Sequence, residues 1–421
     1  MVQSLYYDWS VSRHMKRIQR GLLGGLICSF LLGGTASAIP YQVIPDRPAD
    51  NEWTYLPLQP SDIAGHWSEP LFQWAVQQHI IDGYPDGTLR PDQPISEVEF
   101  LKSLYRAFGI LLPTQHIPAG SGYSYDWSDG PYGLADMWNH PTAGAGDKRA
   151  RTQPITRLAA AELITSAQGL HFEGDEAIAC LLGQGMANSD ARTVAEYGAA
   201  RTLTRAEAMQ WLRQLTLKGM MTIEPRPEER SDPNQLPSMP VAAAERLPDF
   251  SATAVTGADF GLYGADRSPL LTYGESKSDA EQQFGIATET NVFDQSAFPL
   301  FSAHFDDRGI LDDWMIDQDS IEPSLTDTVL QTNKGIILGE SALSDVLAAY
   351  GTFGYDGVGM ANYEYEKMQD GTYKPLVSNR NDAVTKHPSR VYTISFLFDQ
   401  ESLKVRYVYV ASIPATRRGF E

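Results

Sequence analysis

Arg157 and Arg205 each follow a threonine, in "TRLA" and "TRAE", where an apolar helical stripe begins. A cation at the first position of a helix faces the positive end of the helix dipole, at a cost of about 0.3–1 kcal/mol. The same place suits an anion. Backbone N–H groups and a bidentate guanidinium can converge there on a carboxylate or a phosphate. The alternative is an arginine paired with a carboxylate of a neighbouring segment, in a chain rich in acids. The threonines have a local explanation, because Thr or Ser followed three residues later by Glu is a capping box. Thr204 with Glu207 fits it, as does Ser96 with Glu99, whereas Thr156 has Ala159 in the glutamate position. In the earliest of the three segments Glu97 stands where the others have arginine. That choice suits the dipole but repels an anion, which leaves at most two strong anion sites and predicts that Glu97→Ala changes binding little.

These helix starts belong to a repeated unit. From Asp62 the chain reads "DIAGHWSEPLFQWAVQQHIIDGYPDGTLRPDQPISEVEFLKSLYRAFGI": an apolar helix, an Asp-Gly turn, an extended proline-flanked loop, then a second helix. The order recurs in "DEAIACLLGQGMANSDARTVAEYGAARTLTRAEAMQWLRQL". Between them "QPITRLAAAELITSAQGL" repeats the second helix after an irregular stretch. The helix starts fall at Ile95, Ile155 and Leu203, a period of about 50 to 60 residues.

The motifs "GHW" at Gly65–Trp67, "IIDGYPDGTLRPDQPIS" at Ile80–Ser96, and "SEVE", "TRLA" and "TRAE" resemble the S-layer homology domain, over about Pro60 to Leu217. The resemblance implies an all-α module of three repeats (60–110, 111–169 with a degenerate pattern, and 170–218) packed as a prism about a pseudo-threefold axis. It also implies that anionic secondary cell-wall polysaccharide binds in grooves between repeats, with the arginine on a ketal-pyruvate carboxylate or sugar. The polysaccharide-binding candidates are then Arg157, Arg205, Thr156, Thr204 and, as a sugar-stacking face, Trp67.

Residues 219–250 hold six prolines between Pro225 and Pro248 and read as an extended, semi-rigid linker. Beyond it, residues 251–421 contain a second duplication. "LTYGESKSDAEQQFG" at Leu271 is echoed by "IILGESALSDVLAAYG" at Ile336, with Ser276 and Ser341 as N-caps and Gly285 and Gly351 as stops. Paired strands follow each helix. Tyr392, Ile394, Phe396 and Phe398 alternate, as do Leu403, Val405, Tyr407 and Tyr409, which predicts one buried sheet face. The expected architecture is a C-terminal α+β domain of two tandem units, each a helix on an antiparallel sheet. It is loosely similar to the tandem repeats of β-lactamase inhibitor proteins.

Composition sets the surroundings. Arg13, Lys16, Arg17 and Arg20 precede "GLLGGLICSFLLGG" and then "TASA", the pattern of a secretory leader over residues 1–38, cleaved after Ala38. The apolar run is shorter than the roughly 20 residues a membrane span needs. The whole chain has 33 basic and 53 acidic residues; without the leader's four bases and Asp8 the net charge goes from −20 to −23. Such a surface repels nucleic acid and anionic lipid. Only Cys180 then remains, in an apolar helical pattern, so no internal disulfide forms and a buried, inert thiol is expected. No zinc spacing, EF-hand, P-loop or G-x-S-x-G motif is present, so no metal or cofactor is expected. "DDRGILDD", Asp306 to Asp313, reads as a charged hairpin, and His304 belongs to no metal motif. The expectation is a secreted, non-catalytic protein anchored to anionic wall polysaccharide and presenting a protein-binding domain. The alternatives are an anchored wall-modifying hydrolase and a secreted protease or β-lactamase inhibitor.

Overall fold

A short helix followed by a longer one is the rhythm of the N-terminal half: α1 (Glu69–Gln77), α2 (Glu97–Ala107), α3 (Asp129–Met137), α4 (Arg157–Ala167), α5 (Asp175–Gly183) and α6 (Arg205–Leu217). The computed structural model describes residues 60–110, 112, 126–186, 191–239 and 250–416 apart from 288, 292, 320, 322–324, 326 and 377–379, together with a short antiparallel pair, β1 (Tyr41–Val43) and β2 (Thr54–Leu56). The expected leader, residues 1–38, lies outside the described residues. Among those described, no helix is long and apolar enough to cross a membrane.

The longer helices meet in one core. Phe100, Leu101 and Leu104 of α2 pack with Leu163 and Ile164 of α4 and with Trp211, Leu212 and Leu215 of α6, all buried. Burying each such aliphatic or phenyl side chain contributes about 1.5–3 kcal/mol. Cys180 of α5 is buried in the same core, and that burial pushes its thiol up to about 11, out of the nucleophilic range.

The C-terminal half opens with β3 (Leu262–Tyr263) and β4 (Pro269–Leu271), which join β9 (Gln331–Thr332) in a small antiparallel sheet. Helix α7 (Lys277–Phe284) precedes β5 (Glu289–Thr290), β6 (Ser296–Ala297), β7 (Ser302–Phe305) and β8 (Leu311–Asp317). Helix α8 (Leu343–Tyr350) precedes β10 (Met360–Lys367), β11 (Tyr373–Pro375), β12 (Val391–Phe398) and β13 (Val405–Ser412). The two strand sets do not stay apart as separate units. β8 pairs antiparallel with β13, Val410 opposite Trp314, to make one eight-stranded sheet in the order β11-β10-β12-β13-β8-β7-β6-β5.

Two local expectations are corrected. Ser276 caps α7, accepting from Asp279 N, but the N-cap of α8 is Ala342, whose N–H is held by Asp345, while Ser341 Oγ accepts from Ile337 N. The alternation along β13 also breaks. Leu397 pairs with Tyr407 but Phe398 with Val405, so Arg406 is an extra residue. This β-bulge turns Tyr407 and Tyr409 away from the face that Val405, Val408 and Val410 share with the main core.

The described part of the proline-rich segment, 219–239, is not a free stalk, and 240–249 lie outside the described residues. Residues 219–239 lie along the helices: Glu224 N donates to Ala167 O, Arg226 N to Trp138 O and Ser231 N to His171 O. The two halves touch directly. Arg213 of α6, with no exposed surface, donates to the carbonyls of Thr352 and Tyr355, and Met221 is buried in the sheet's core. Gly357, at φ +96°, brings its backbone so near Thr216 that a Cβ there would lie 2.6 Å from it.

Candidate functional site

Backbone hydrogen bonds join the three helix starts in a closed ring. Ile155 N donates to Ile95 O (2.9 Å), Leu203 N to Ile155 O (3.2 Å) and Ile95 N to Leu203 O (3.0 Å). A second ring runs the other way. The first helical N–H groups of Glu97, Arg157 and Arg205 donate to the carbonyls of Gln153, Arg201 and Gln93. N–H groups that a lone helix leaves without partners are thus taken up by the loop of the next segment. The side chains complete the caps. Ser96 with Glu99 and Thr204 with Glu207 form capping boxes, and Thr156 Oγ accepts from Ala159 N.

The ring decides what the arginines do. Arg205 Nη1 reaches Glu99 of α2 at 2.8 Å, while its other nitrogens donate to Leu89 O and Asp82 O. Arg157 Nη2 reaches Glu207 of α6 at 2.9 Å, and Nη1 donates to Tyr197 O. Arg205 is only 2% exposed and Arg157 is also buried, so neither guanidinium lines an open groove. Each helix-start arginine is neutralised by the capping glutamate of its neighbour, the pairing that sequence reading left as the alternative. Dipole repulsion is offset by a nearby carboxylate and by carbonyls.

The third junction lacks both partners together. Glu97 replaces arginine, and Ala159 replaces the glutamate it would meet. Glu97 instead turns inward, accepting from Gly144 N (2.7 Å), Ala143 N (3.0 Å) and Tyr132 Oη (2.6 Å). Burial, then this bond to Glu97, pushes the Tyr132 hydroxyl pKa upward. Glu97 therefore holds the 143–144 loop, a structural role separate from the expectation that its loss changes binding little. Replacing it by alanine strands two buried donors, Gly144 N and Tyr132 Oη, and a third at the exposed Ala143, and Glu97→Ala is expected to lower stability by about 2–4 kcal/mol in urea unfolding. A change below about 0.5 kcal/mol removes that role.

Surface groups complete the picture. Trp67 is 55% exposed beside His66, whose Nδ1 lies 2.7 Å from Ser68 Oγ and whose Nε2 lies 3.4 Å from Asp92. Arg201, which the sequence reading missed, stands 3.9 Å from Glu207 with its side chain 67% exposed. The Arg157–Glu207–Arg201 cluster thus has two cations to one anion, and Arg157 Nε is buried without a hydrogen-bond partner among the described residues. The signal for Arg201 lay in "RTLTRAE", three residues ahead of the capping threonine. At the Arg205 junction Tyr84 Oη donates to Glu99, and Arg90 lies over the Tyr84 ring while pairing with Asp86. Below it, burial raises the Asp82 carboxyl pKa, but Lys102 and Arg106 more than offset that and hold it below its usual value.

Residues 61–101 match the family model of the S-layer homology domain. The chain thus carries such a domain across α1, the Asp-Gly turn and the start of α2, which supports association with the cell wall. No curated protein matches the chain.

Proposed function

We propose that the chain is a non-catalytic cell-surface protein with three S-layer homology repeats, 60–110, 111–169 and 170–218, which dock about a pseudo-threefold axis on anionic wall polysaccharide. The matched segment 61–101 carries this reading, and the ring of hydrogen bonds joining its helix start to Ile155 and Leu203 supports extending it to all three. Arg157, with Thr156 and Thr204 at the caps, fixes Glu207 from below, and Arg201 presents the surplus positive charge to a polymer carboxylate. Arg205 does the equivalent work on Glu99, but the outer arginine there, Arg90, lies over Tyr84 and is itself paired with Asp86, so the surplus charge is at Arg201. Trp67 offers a sugar-stacking face. The C-terminal domain, 251–421, is a protein-binding body held against the anchor. Tyr407 and Met315, both part-exposed on the sheet face away from the main core, support that part, with the buried Tyr409 stacked 6.5 Å from Tyr407 beneath them.

Purified wall material tests the anchor. Arg201→Ala with Trp67→Ala is expected to weaken binding at least about tenfold, one charge-assisted hydrogen bond being worth about 1.5–3 kcal/mol, without loss of folded structure. Wall binding equal to that of the unaltered chain refutes the site. Clearing in a zymogram on the same material would instead favour a hydrolase.

A further inference from the structure

The hairpin β7–β8 joins residues that its sequence does not suggest belong together. His304 is the register partner of Asp313, while Phe305 pairs with Leu311, so Asp312 is an extra residue in a β-bulge. A bulge re-aims side chains. Here Asp312 and Asp313 both come to the imidazole, with Asp312 Oδ1 2.7 Å from His304 Nδ1. One donor atom from each of the three lies within 4.8 Å of the others. Asp313 is buried, and its carboxylate is oriented by Gln295 Nε2 at 2.7 Å. Gln295 is buried as well and is fixed in turn by Asn291 Nδ2 at 2.8 Å. A chain of amides that points a buried carboxylate at an imidazole is the outer shell a metal ligand needs. Asp294 stands 3.9 Å from Nε2 on the other side of the ring.

We infer that His304, Asp312 and Asp313 form a binding site for one divalent transition-metal ion, Zn2+ in the first instance. Magnesium and calcium prefer ligand sets made of oxygen alone, whereas one imidazole with two carboxylates suits zinc. Three protein ligands leave a position for water. The ion clips β8, in the middle of the sheet, to β7 and so to the outer strands of the first half. This inference stands apart from the anchoring module and from the polysaccharide reading.

The test uses the full chain stripped with EDTA and titrated with zinc chloride, followed by calorimetry and by thermal unfolding. Expected are one saturable equivalent per chain and a rise in Tm. His304→Gln and Asp312→Asn should each weaken zinc at least about tenfold, and Gln295→Ala, which touches no ion, by about 10- to 100-fold. Asp312 is only part-buried, so its variant decides the matter if His304→Gln does not fold. The site is refuted if zinc gives no saturable binding, or if it binds Asp312→Asn as tightly as the unaltered chain. It is also refuted if magnesium chloride alone raises Tm as much as zinc does, which would remove the case for an imidazole ligand.

Discussion

Arg205→Ala is expected to lower the stability of the folded chain by about 3 kcal/mol, the low end for breaking a buried ion pair by removing one partner. The low end applies because Glu99 is about a quarter exposed and water reaches it. The loss has three sources. Glu99 loses its cation, the carbonyls of Leu89 and Asp82 lose a donor, and the Tyr84 ring loses the guanidinium lying 4.8 Å above it. Arg205→Lys keeps the charge but cannot reach Glu99 and both carbonyls with one compact ammonium, so it should recover less than half of the loss. Urea unfolding of the three chains measures this. If Arg205 served the polymer and not the fold, the alanine variant would unfold within about 0.5 kcal/mol of the parent while wall binding fell.

The second large effect lies where the two halves meet. Arg213 sits between the rings of Trp74 (5.0 Å) and Phe250 (4.8 Å) and donates to two carbonyls beyond α8. Truncation to alanine leaves both carbonyls short of a donor and opens a void between aromatic rings, so a loss of about 3 kcal/mol or more is expected. The parent should unfold in one calorimetric transition, and Arg213→Ala in two. A single transition at an unchanged temperature would mean that the contact couples nothing. A pH signature accompanies it. Burial pushes the Asp356 carboxyl, in the same loop, up to about 6, and Arg213 partly opposes that shift. A folded pKa above the unfolded 3.8 means that the charged form weakens the fold, so stability falls as pH rises from 3.8 through 6. Without Arg213 that fall should be steeper.

This contact changes what the C-terminal domain can do. A proline-rich stalk would let it sweep a volume above the wall. Residues 219–239 laid along the helices, with Arg213 and Met221 packed into the other half, instead join the two halves directly.

Much of the helical half was legible from local chemistry. Capping needs only residues three apart, so Ser96, Thr156 and Thr204 marked three helix starts, and the recurrence of those starts marked a repeated unit. The Gly-Glu-Ser echoes likewise located α7 and α8, within one residue at the second cap. Partners distant along the chain were not legible. Arg205 meets Glu99 106 residues earlier because the last helix start closes a ring onto the first, and no spacing rule encodes that closure. The same holds for Glu97, which needs a loop more than forty residues away to explain it. In the sheet, single extra residues in β13 and β8 decided which face Tyr407 takes and whether Asp312 reaches His304, since a shift of one residue reverses every side chain beyond it. Sequence determined the elements and their ends, because these depend on neighbours a few residues away. Tertiary structure decided which charges meet and which faces are covered, because those depend on how the elements close on one another.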